Sequence, residues 1–246
     1  MLISQKDKKR LDVLLLDKHL ASTLKIAQAL IMSKMVYVND QLEYKPWVLY
    51  SINDIITIRN HNLYVSRAGF KLAEALNIFK LDLNGCICLD VGASTGGFTD
   101  CMLQHGATKV YAIDVAKGKL HYKLQKDKRV INIERVNFRY FNQSLVEDKI
   151  DFITIDVSFI SLTKILPVVY KYVPTSHLIL PMIKPQFELQ PYKMTKGIVR
   201  NENLRQQAIK KVKEFSLKLG FTIIAETSSS LKGLKGNLEH FILLKR

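Results

Sequence analysis

Residues 86–100 have the sequence C-I-C-L-D-V-G-A-S-T-G-G-F-T-D, the most informative stretch for the fold. It begins as an apolar run that ends at Asp90 and Val91. Gly92, Gly96 and Gly97 follow, and the next residues have helical character. Glycine permits the tight turn that joins a buried parallel strand to a helix while the backbone stays close to a ligand. The stretch therefore predicts the first strand, the ligand loop and the first helix of an α/β domain.

Strand-like and helix-like segments alternate from this stretch to the end of the chain. Residues 109–114, 151–157 and 177–183 are examples of the strand-like segments, and they are apolar runs rather than alternating patterns. Such runs indicate strands that are buried on both faces. The predicted fold class is therefore α/β, a Rossmann-like domain with a mostly parallel sheet, helices on both faces, and an antiparallel pairing in the last two strands.

The beginning of the chain has a different pattern. Leu11, Leu14 and Leu15 have helical spacing, and V-Y-V-N-D-Q (residues 36–41) alternates like a strand that turns at Asn39 and Asp40. This pattern predicts a small α+β binding module. We expect the module to span residues 1–60, a linker and the first helix of the larger domain to span residues 61–80, and the α/β domain to span residues 81–246.

The glycine loop and the next strand end together predict a cofactor that contains a nucleoside. Asp114 ends the second strand, about twenty residues after the loop, where an acid accepts hydrogen bonds from a ribose diol. Asp90 favours a cationic ligand over a pyrophosphate, because a carboxylate would repel phosphates. S-adenosylmethionine carries such a positive charge. The residues expected to bind it are Asp90, Gly92, Ala93, Ser94, Gly96, Gly97, Phe98, Asp114 and Asp156, together with Glu134 and Asn137 at the third strand end.

Basic residues exceed acidic ones by a wide margin. The 246 residues include 37 Lys and Arg and 22 Asp and Glu, which gives a net charge of +15. Residues 1–60 account for only +3 of it, and Lys117–Arg135 and Lys184–Lys213 are the most basic stretches. A solvated helix face would explain either stretch alone. Together they predict a polyanionic partner that is contacted mainly by the larger domain.

Several classes of protein are disfavoured by composition. Cys86, Cys88 and Cys101 lack the spacing of a metal or redox site, so we expect free thiols and no metal. The chain has no apolar run near the roughly 20 residues that a membrane span needs, and no signal segment opens it. These features predict a soluble cytoplasmic protein.

Four charged residues lie in places that suggest chemistry. Asp156 and Lys184 each end an apolar strand, which places them at the binding edge of the sheet. Lys71 lies in S-R-A-G-F-K-L, and Glu239 lies in G-N-L-E-H-F. Burying a charge is costly unless the charge has a partner or a role. A paired or solvated charge remains an equally good explanation for any one of them.

These motifs resemble those of known families. Lys71, Asp156, Lys184 and Glu239 are similar to the Lys-Asp-Lys-Glu tetrad of the FtsJ-like RNA ribose 2′-O-methyltransferases. R-L-D-V-L-L-L (residues 10–16), A-Q-A-L-I-M (27–32) and V-Y-V-N (36–39) resemble the S4 RNA-binding domain, although Lys34 and Asp40 replace common turn glycines. The whole chain resembles the TlyA family of ribosomal RNA 2′-O-methyltransferases, whose members are also called haemolysins.

The resemblance implies methylation of a ribose 2′-hydroxyl with S-adenosylmethionine as methyl donor. It implies Lys184 as the proton-accepting centre, Asp156 and Glu239 as its orienting partners, and Lys71 as a group that positions the substrate. The implied partner is ribosomal RNA or a ribosomal subunit, and the implied target is a cytidine of 23S RNA. Longer family members also modify 16S RNA, and the short extensions before Arg10 and after Glu239 favour the 23S target here.

Three different functions remain open. The first is a hydrolase, since G-A-S-T-G (residues 92–96) also fits the nucleophile elbow, with Asp156 and His240 following in hydrolase order. However, an elbow normally follows a central strand, and this motif follows the first strand of the domain. The second is a membrane-active cytolysin, which the name haemolysin suggests. The third is a non-catalytic factor that binds RNA during ribosome assembly.

Overall fold

The computed structural model describes residues 7–32, 34–58, 63–172, 177–190, 197–233 and 236–246. The chain divides into two compact units, Met1–Leu63 and Tyr64–Arg246. Residues 61 and 62 of the predicted linker, and Lys193 and Lys196 of the second basic stretch, lie outside the described residues.

The first unit contains two helices and five short strands among its described residues. Three strands form an antiparallel sheet in the order β3-β2-β5, and β1 pairs with β4. Its core consists of apolar side chains from both helices and from this sheet, including Leu11, Leu15, Ile31 and Val36. The elements are β1 (Lys8–Arg10), α1 (Leu11–Asp17), α2 (Leu24–Met32), β2 (Val36–Val38), β3 (Gln41–Glu43), β4 (Leu49–Ser51) and β5 (Ile56–Ile58).

The hairpin between β2 and β3 turns at the two predicted residues. Asn39 and Asp40 have φ values of 48° and 63°, the left-handed pair that a two-residue hairpin turn requires. Lys34 is also left-handed, with φ of 61°. Lys34 and Asp40 thus adopt a conformation usually given to glycine, at a cost of about 1 kcal/mol each. Asn39 offsets part of this cost, since its Oδ1 accepts a hydrogen bond from the Ile55 N–H at 3.0 Å.

The second unit begins with a helix and then alternates strands and helices. Its helices are α3 (Arg67–Phe79), α4 (Gly97–Gln104), α5 (Tyr122–Gln125), α6 (Leu166–Tyr172), α7 (Pro185–Glu188) and α8 (Glu202–Lys218). Its strands are β6 (Ile87–Val91), β7 (Lys109–Ile113), β8 (Val130–Ile133), β9 (Phe152–Ile155), β10 (Leu178–Ile183), β11 (Thr222–Ser228) and β12 (His240–Lys245).

These seven strands form one sheet in the order β11-β12-β10-β9-β6-β7-β8. Strands β6 to β10 run parallel, and β12 is antiparallel to both β10 and β11. The predicted antiparallel pair is therefore β11 and β12, and the reversed strand lies next to the edge rather than at it. The order reverses at β6, which lies between β7 and β9. A ligand crevice forms at the carboxyl ends of the strands beside such a switch point.

Both faces of the sheet are covered, as the apolar runs predicted. Cys88 and Val110 belong to a core with α3 and α4, whereas Leu89 and Tyr111 belong to a second core with α6 and α8. Successive residues of each strand therefore enter opposite cores, which explains why these strands lack a polar face. The predicted α/β class with a mostly parallel sheet and helices on both faces is confirmed.

Helices α3 and α4 approach each other closely at their first turns. A Cβ on Gly97 would lie 2.1 Å from Ser66 Oγ, and a Cβ on Gly69 would lie 2.9 Å from the Gly97 carbonyl oxygen. Ser66 caps α3 by accepting a hydrogen bond from the Ala68 N–H at 3.3 Å. The two glycines therefore allow the start of α3, with Lys71 in its second turn, to lie beside the glycine loop. Among the described residues, no helix is long and apolar enough to cross a membrane.

Candidate active site

A cleft of about 740 Å³ opens at the carboxyl ends of β6, β9 and β10. This volume lies within the range of about 300–1,000 Å³ that small-molecule pockets occupy. The glycine loop (residues 92–97), the β9 loop (residues 156–161), α7 and the start of α3 contribute to its walls. The predicted residues among its lining are Lys71, Gly92, Ala93, Ser94, Gly97, Phe98, Asp156, Lys184 and Glu239.

The glycine loop owes its path to positions that no larger residue would fit. Gly92 has φ of 89°, and a Cβ on it would lie 2.7 Å from the Asp156 carbonyl oxygen. Gly96 has φ of 91°, and its Cβ would lie 2.2 Å from Leu124 Cδ1. Gly96 thus packs the loop against the leucines of the following segment and is not among the cleft-lining residues. Gly92 lets the loop lie directly against the backbone that carries Asp156.

Asp156 and Lys184 form an ion pair across the cleft floor. Lys184 Nζ lies 2.5 Å from Asp156 Oδ1, and it donates a hydrogen bond to Ser158 Oγ at 3.0 Å. Asp156 Oδ1 is buried, and its contact with the ammonium is that of an ion pair. Because both residues directly follow adjacent parallel strands, their meeting is a consequence of the pairing of β9 with β10. Lys184 is thereby held with its nitrogen at the cleft surface.

Lys71 and Glu239 form a second, more deeply buried ion pair. Lys71 Nζ donates to Glu239 Oε2, and the two side chains are 8% and 5% exposed. The resemblance implied that Glu239 orients Lys184, but in the structure its carboxylate contacts Lys71 instead. The reason is topological: Glu239 immediately precedes the reversed strand β12, and the close approach of α3 to α4 brings Lys71 to the same place.

Asp90 lies beneath the glycine loop and does not line the cleft. Its carboxylate is fully buried, and it accepts hydrogen bonds from Thr99 Oγ1 at 2.7 Å and Thr154 Oγ1 at 3.1 Å. Burial raises the pKa of Asp90 to about 7, against the opposing effect of the hydrogen bond from Thr99. Asp90 thus ties α4 and β9 to the first strand end, rather than facing a cationic ligand as expected.

The other predicted cofactor residues, Asp114, Glu134 and Asn137, lie at the ends of β7 and β8, outside the cleft lining. Asp114 accepts hydrogen bonds from the Ser94 and Ala116 N–H groups at 2.8 and 2.7 Å, so it holds the glycine loop from the neighbouring strand. Glu134 accepts from Asn132 Nδ2 and the Gly118 N–H, and these bonds lower its pKa. Asn137 caps a short 3₁₀ helix that follows it. Their contact with a cofactor stays a prediction.

Several lining residues were not predicted from the sequence. Phe159 is 90% exposed, has φ of 62°, and its ring lies 5.1 Å from that of Phe187. Asn237 is buried, accepts a hydrogen bond from the Val199 N–H at 2.8 Å and donates one to the Gly197 carbonyl at 2.9 Å. Phe159 follows an apolar strand, so its pattern resembles that of a core residue. Asn237 lies in the motif G-N-L-E, which marked this segment, but the hydrogen-bond partners of Asn237 are about 40 residues earlier in the chain.

Among the described residues, no histidine lies where the hydrolase alternative requires one. Ser94 lines the cleft with φ of 50°, but no histidine is among the described residues that line it. His240 contacts Ser228 Oγ through Nδ1 at 3.0 Å and Glu226 Oε2 through Nε2 at 3.2 Å. Ser94 therefore has no histidine there to accept its proton, as the hydrolase mechanism requires.

The sheet order, the glycine loop at its switch point and the paired charges at the strand ends together define a Rossmann-like methyltransferase. The chain belongs to the FtsJ-like methyltransferase family, whose model matches residues 64–246. This confirms the family resemblance that the tetrad motifs predicted.

Alignments with similar proteins cover most of the chain. Hemolysin A of Brachyspira hyodysenteriae is 41% identical in an alignment of 223 positions that covers 88% of this chain and 92% of that protein. The 16S/23S rRNA (cytidine-2'-O)-methyltransferase TlyA of Mycobacterium tuberculosis is 34% identical in an alignment of 239 positions that covers 96% of this chain and 89% of that protein. A solved structure described as a hemolysin of Streptococcus thermophilus is 37% identical, with a TM-score of 0.75, and covers 98% of this chain and 89% of that one.

Proposed function

We propose that the protein transfers a methyl group from S-adenosylmethionine to the ribose 2′-hydroxyl of a cytidine in ribosomal RNA. One observation carries the proposal: two lysine–carboxylate pairs, Lys184–Asp156 and Lys71–Glu239, line one cleft with the glycine loop. The printed activity of the Mycobacterium tuberculosis relative supports the RNA substrate and the cytidine. Ribosomal RNA as substrate implies that the protein acts in the cytoplasm.

The residues of the cleft fit S-adenosylmethionine. Gly92 lets the glycine loop lie directly against the Asp156 backbone, so the loop and Asp156 line the same cleft. Gly97 and Phe98 open α4 beside the cleft, and the N–H groups of a helix start suit the ligand's carboxylate. Asp156 supplies a carboxylate for its cationic part. When bound, S-adenosylmethionine supplies an electrophilic methyl group on a sulfonium.

The paired charges provide an acceptor for the proton of the ribose 2′-hydroxyl. S-adenosylmethionine would supply the methyl group and leave as S-adenosylhomocysteine when its carbon–sulfur bond breaks, and the proton of the attacking hydroxyl would pass to Lys184 Nζ. Asp156, 2.5 Å from that nitrogen, stabilises the ammonium that results, and Ser158 Oγ accepts a hydrogen bond from it at 3.0 Å. Lys71, which is held by Glu239, also lines the cleft, where it can donate to the substrate's ribose or phosphate oxygens.

Two further features suit an RNA substrate. The exposed ring of Phe159 stands at the cleft beside Phe187 and offers a face on which a base can stack. Lys117, Lys123 and Lys128 are exposed in the segment between β7 and β8. Charges of this kind contact phosphates without selecting a sequence, so they would position the RNA while the cleft selects the nucleotide.

Mapping of ribose methylation tests the proposal. Ribosomal RNA from cells with and without the gene is compared, and the missing modification is then restored with wild-type protein, with Lys184→Ala and with Lys109→Ala. Lys109 is a suitable control because it also pairs with a carboxylate, Asp148, but lies at the opposite end of the sheet, at the start of β7. Wild type and Lys109→Ala should restore the modification, and Lys184→Ala should not.

The same maps identify the RNA target. We expect the modified cytidine in 23S RNA, and the 16S RNA of the same cells serves as the second substrate to inspect. A strain that lacks the gene and loses no ribose methylation in either RNA would refute the proposed function.

A further inference from the structure

We infer that Glu188 is a positioning residue for the methyl transfer, because its buried carboxylate joins the β9 loop to α7 and thereby fixes Asp156 relative to Lys184. This inference rests on the proposed function. Glu188 is not among the cleft-lining residues, and its side chain is only 1% exposed. Its role would be exerted through the two segments that carry the reactive pair.

The carboxylate of Glu188 receives hydrogen bonds on both oxygens. Oε1 accepts from the Leu162 N–H at 2.7 Å, and Oε2 accepts from Ser161 Oγ. Lys211 Nζ, from α8, donates to Oε2 at 3.2 Å and to the Glu188 carbonyl oxygen at 2.7 Å. A buried carboxylate with several donors and one cation is well satisfied, so the link is a stable one.

These contacts close a ring of two short segments. The β9 loop runs from Asp156 to Ser161, and the second segment runs from Lys184 to Glu188. The ion pair between Asp156 and Lys184 joins them at one end, and the Glu188 hydrogen bonds join them at the other. The contact between Phe159 and Phe187 lies between these two ends. A shift at the Glu188 end therefore displaces the aromatic pair and the ion pair together.

A carboxylate offers an acceptor atom to each of these donors. The Leu162 N–H and the Lys211 ammonium lie on different oxygens, and a glutamine amide has a single acceptor atom. Glu188→Gln must therefore direct its NH2 group at either the Leu162 N–H or the Lys211 ammonium, and donor then faces donor, although Lys211 keeps its bond to the main-chain carbonyl of residue 188. The loop would then sample positions in which the hydroxyl, the methyl group and Lys184 are out of line. A displacement of about 1 Å can lower a rate by about a hundredfold.

Glu188→Gln in the full-length protein tests the inference. The single-turnover rate constant for methyl transfer to unmodified ribosomal RNA is measured with enzyme and S-adenosylmethionine in excess, so that a misfolded fraction does not change it. S-adenosylmethionine affinity is measured by calorimetry. We expect the rate constant to fall by about tenfold to a hundredfold, and the affinity to fall much less, because the glycine loop keeps its contacts and only the Asp156 side of the cleft moves.

Glu226→Gln is the matched control. Glu226 also accepts from a lysine, Lys213 at 2.7 Å, and from a second side chain, His240, but it lies on β11 outside the cleft. Its substitution should leave the transfer rate constant unchanged. Hydrogen exchange gives an independent readout: peptides covering residues 156–164 should exchange faster in Glu188→Gln, whereas those covering residues 92–97 should not.

Each outcome decides between the two claims. A transfer rate constant within twofold of wild type, or a loss of cofactor affinity in parallel with the rate, would overturn the role of Glu188. Wild-type protein that methylates no ribosomal RNA would instead refute the proposed function. If Glu188→Gln does not fold, Ser161→Ala removes a single donor of the same link and should lower the rate constant about threefold; an unchanged rate would overturn the inference.

Discussion

The buried pair of Lys71 and Glu239 allows stability and catalysis to be separated. Replacing Glu239 with Met leaves the Lys71 ammonium without its carboxylate in a place where the side chain is 8% exposed. Breaking a buried pair by removing one partner costs about 3 kcal/mol. For a unit of this size each kcal/mol lowers the unfolding temperature by about 2–4 °C. Glu239→Met should therefore unfold about 6–12 °C below wild type.

The double substitution Lys71→Met with Glu239→Met should behave differently. Two linear apolar side chains of similar length replace a pair whose burial removed both charges from water, and such replacements are often neutral or stabilising. The double variant should therefore recover most of the lost unfolding temperature. It should nevertheless transfer no methyl group at a measurable rate, since both functional groups are absent from the cleft.

Thermal unfolding of wild type, both single variants and the double variant, followed by calorimetry, measures the coupling. Methyl transfer to ribosomal RNA is measured on the same four proteins. A double variant that is as unstable as Glu239→Met would refute the buried-pair reasoning. Wild-type transfer rates in any of the three variants would refute a role for this pair in the reaction.

Two other substitutions test the glycine loop and its support. Gly92→Ala and Gly85→Ala carry the same backbone strain, with φ of 89° and 77°, of about 1–2 kcal/mol. Only at Gly92 does the new Cβ meet a backbone atom, Asp156 O at 2.7 Å, so only Gly92→Ala should also lose methyl transfer in the RNA assay. Asp90→Asn should reduce the pH dependence of the unfolding free energy. Burial raises the pKa of Asp90 to about 7, so the folded state holds a proton that the unfolded state has already lost. The wild-type unfolding free energy should therefore fall as the pH rises from about 4 to about 7. Urea unfolding at pH 5 and pH 8 should show a smaller decrease for Asp90→Asn, and an equal decrease would contradict the assignment.

Much of the site follows from local sequence rules. Asp156 and Lys184 each end an apolar run, and carboxyl ends of parallel strands meet at one edge of a sheet, so their proximity was predictable once the class was known. The same rule located Gly92 and Asp114 at neighbouring strand ends. The rule does not say which way a side chain turns. Asp90 therefore lies beneath the loop, bonded to Thr99 and Thr154, although its position in the sequence suggested a contact with the ligand.

Other features depend on contacts between distant segments. Glu239 pairs with Lys71 across 168 positions of the chain, because β12 runs in reverse beside β10 and two glycines let α3 approach α4. Glu188 acquires its partners from the β9 loop and α8 in the same way.

The α/β class, the glycine loop, the cofactor class and the four charged residues could all be read from the amino-acid order, because periodicity and turn chemistry are local properties of a chain. How those charges are paired, and which side chains reach the cleft surface, became known only from the folded arrangement. Pairing depends on the three-dimensional distance between segments, and exposure depends on what packs above each side chain. Neither quantity is encoded in the spacing of residues along the chain.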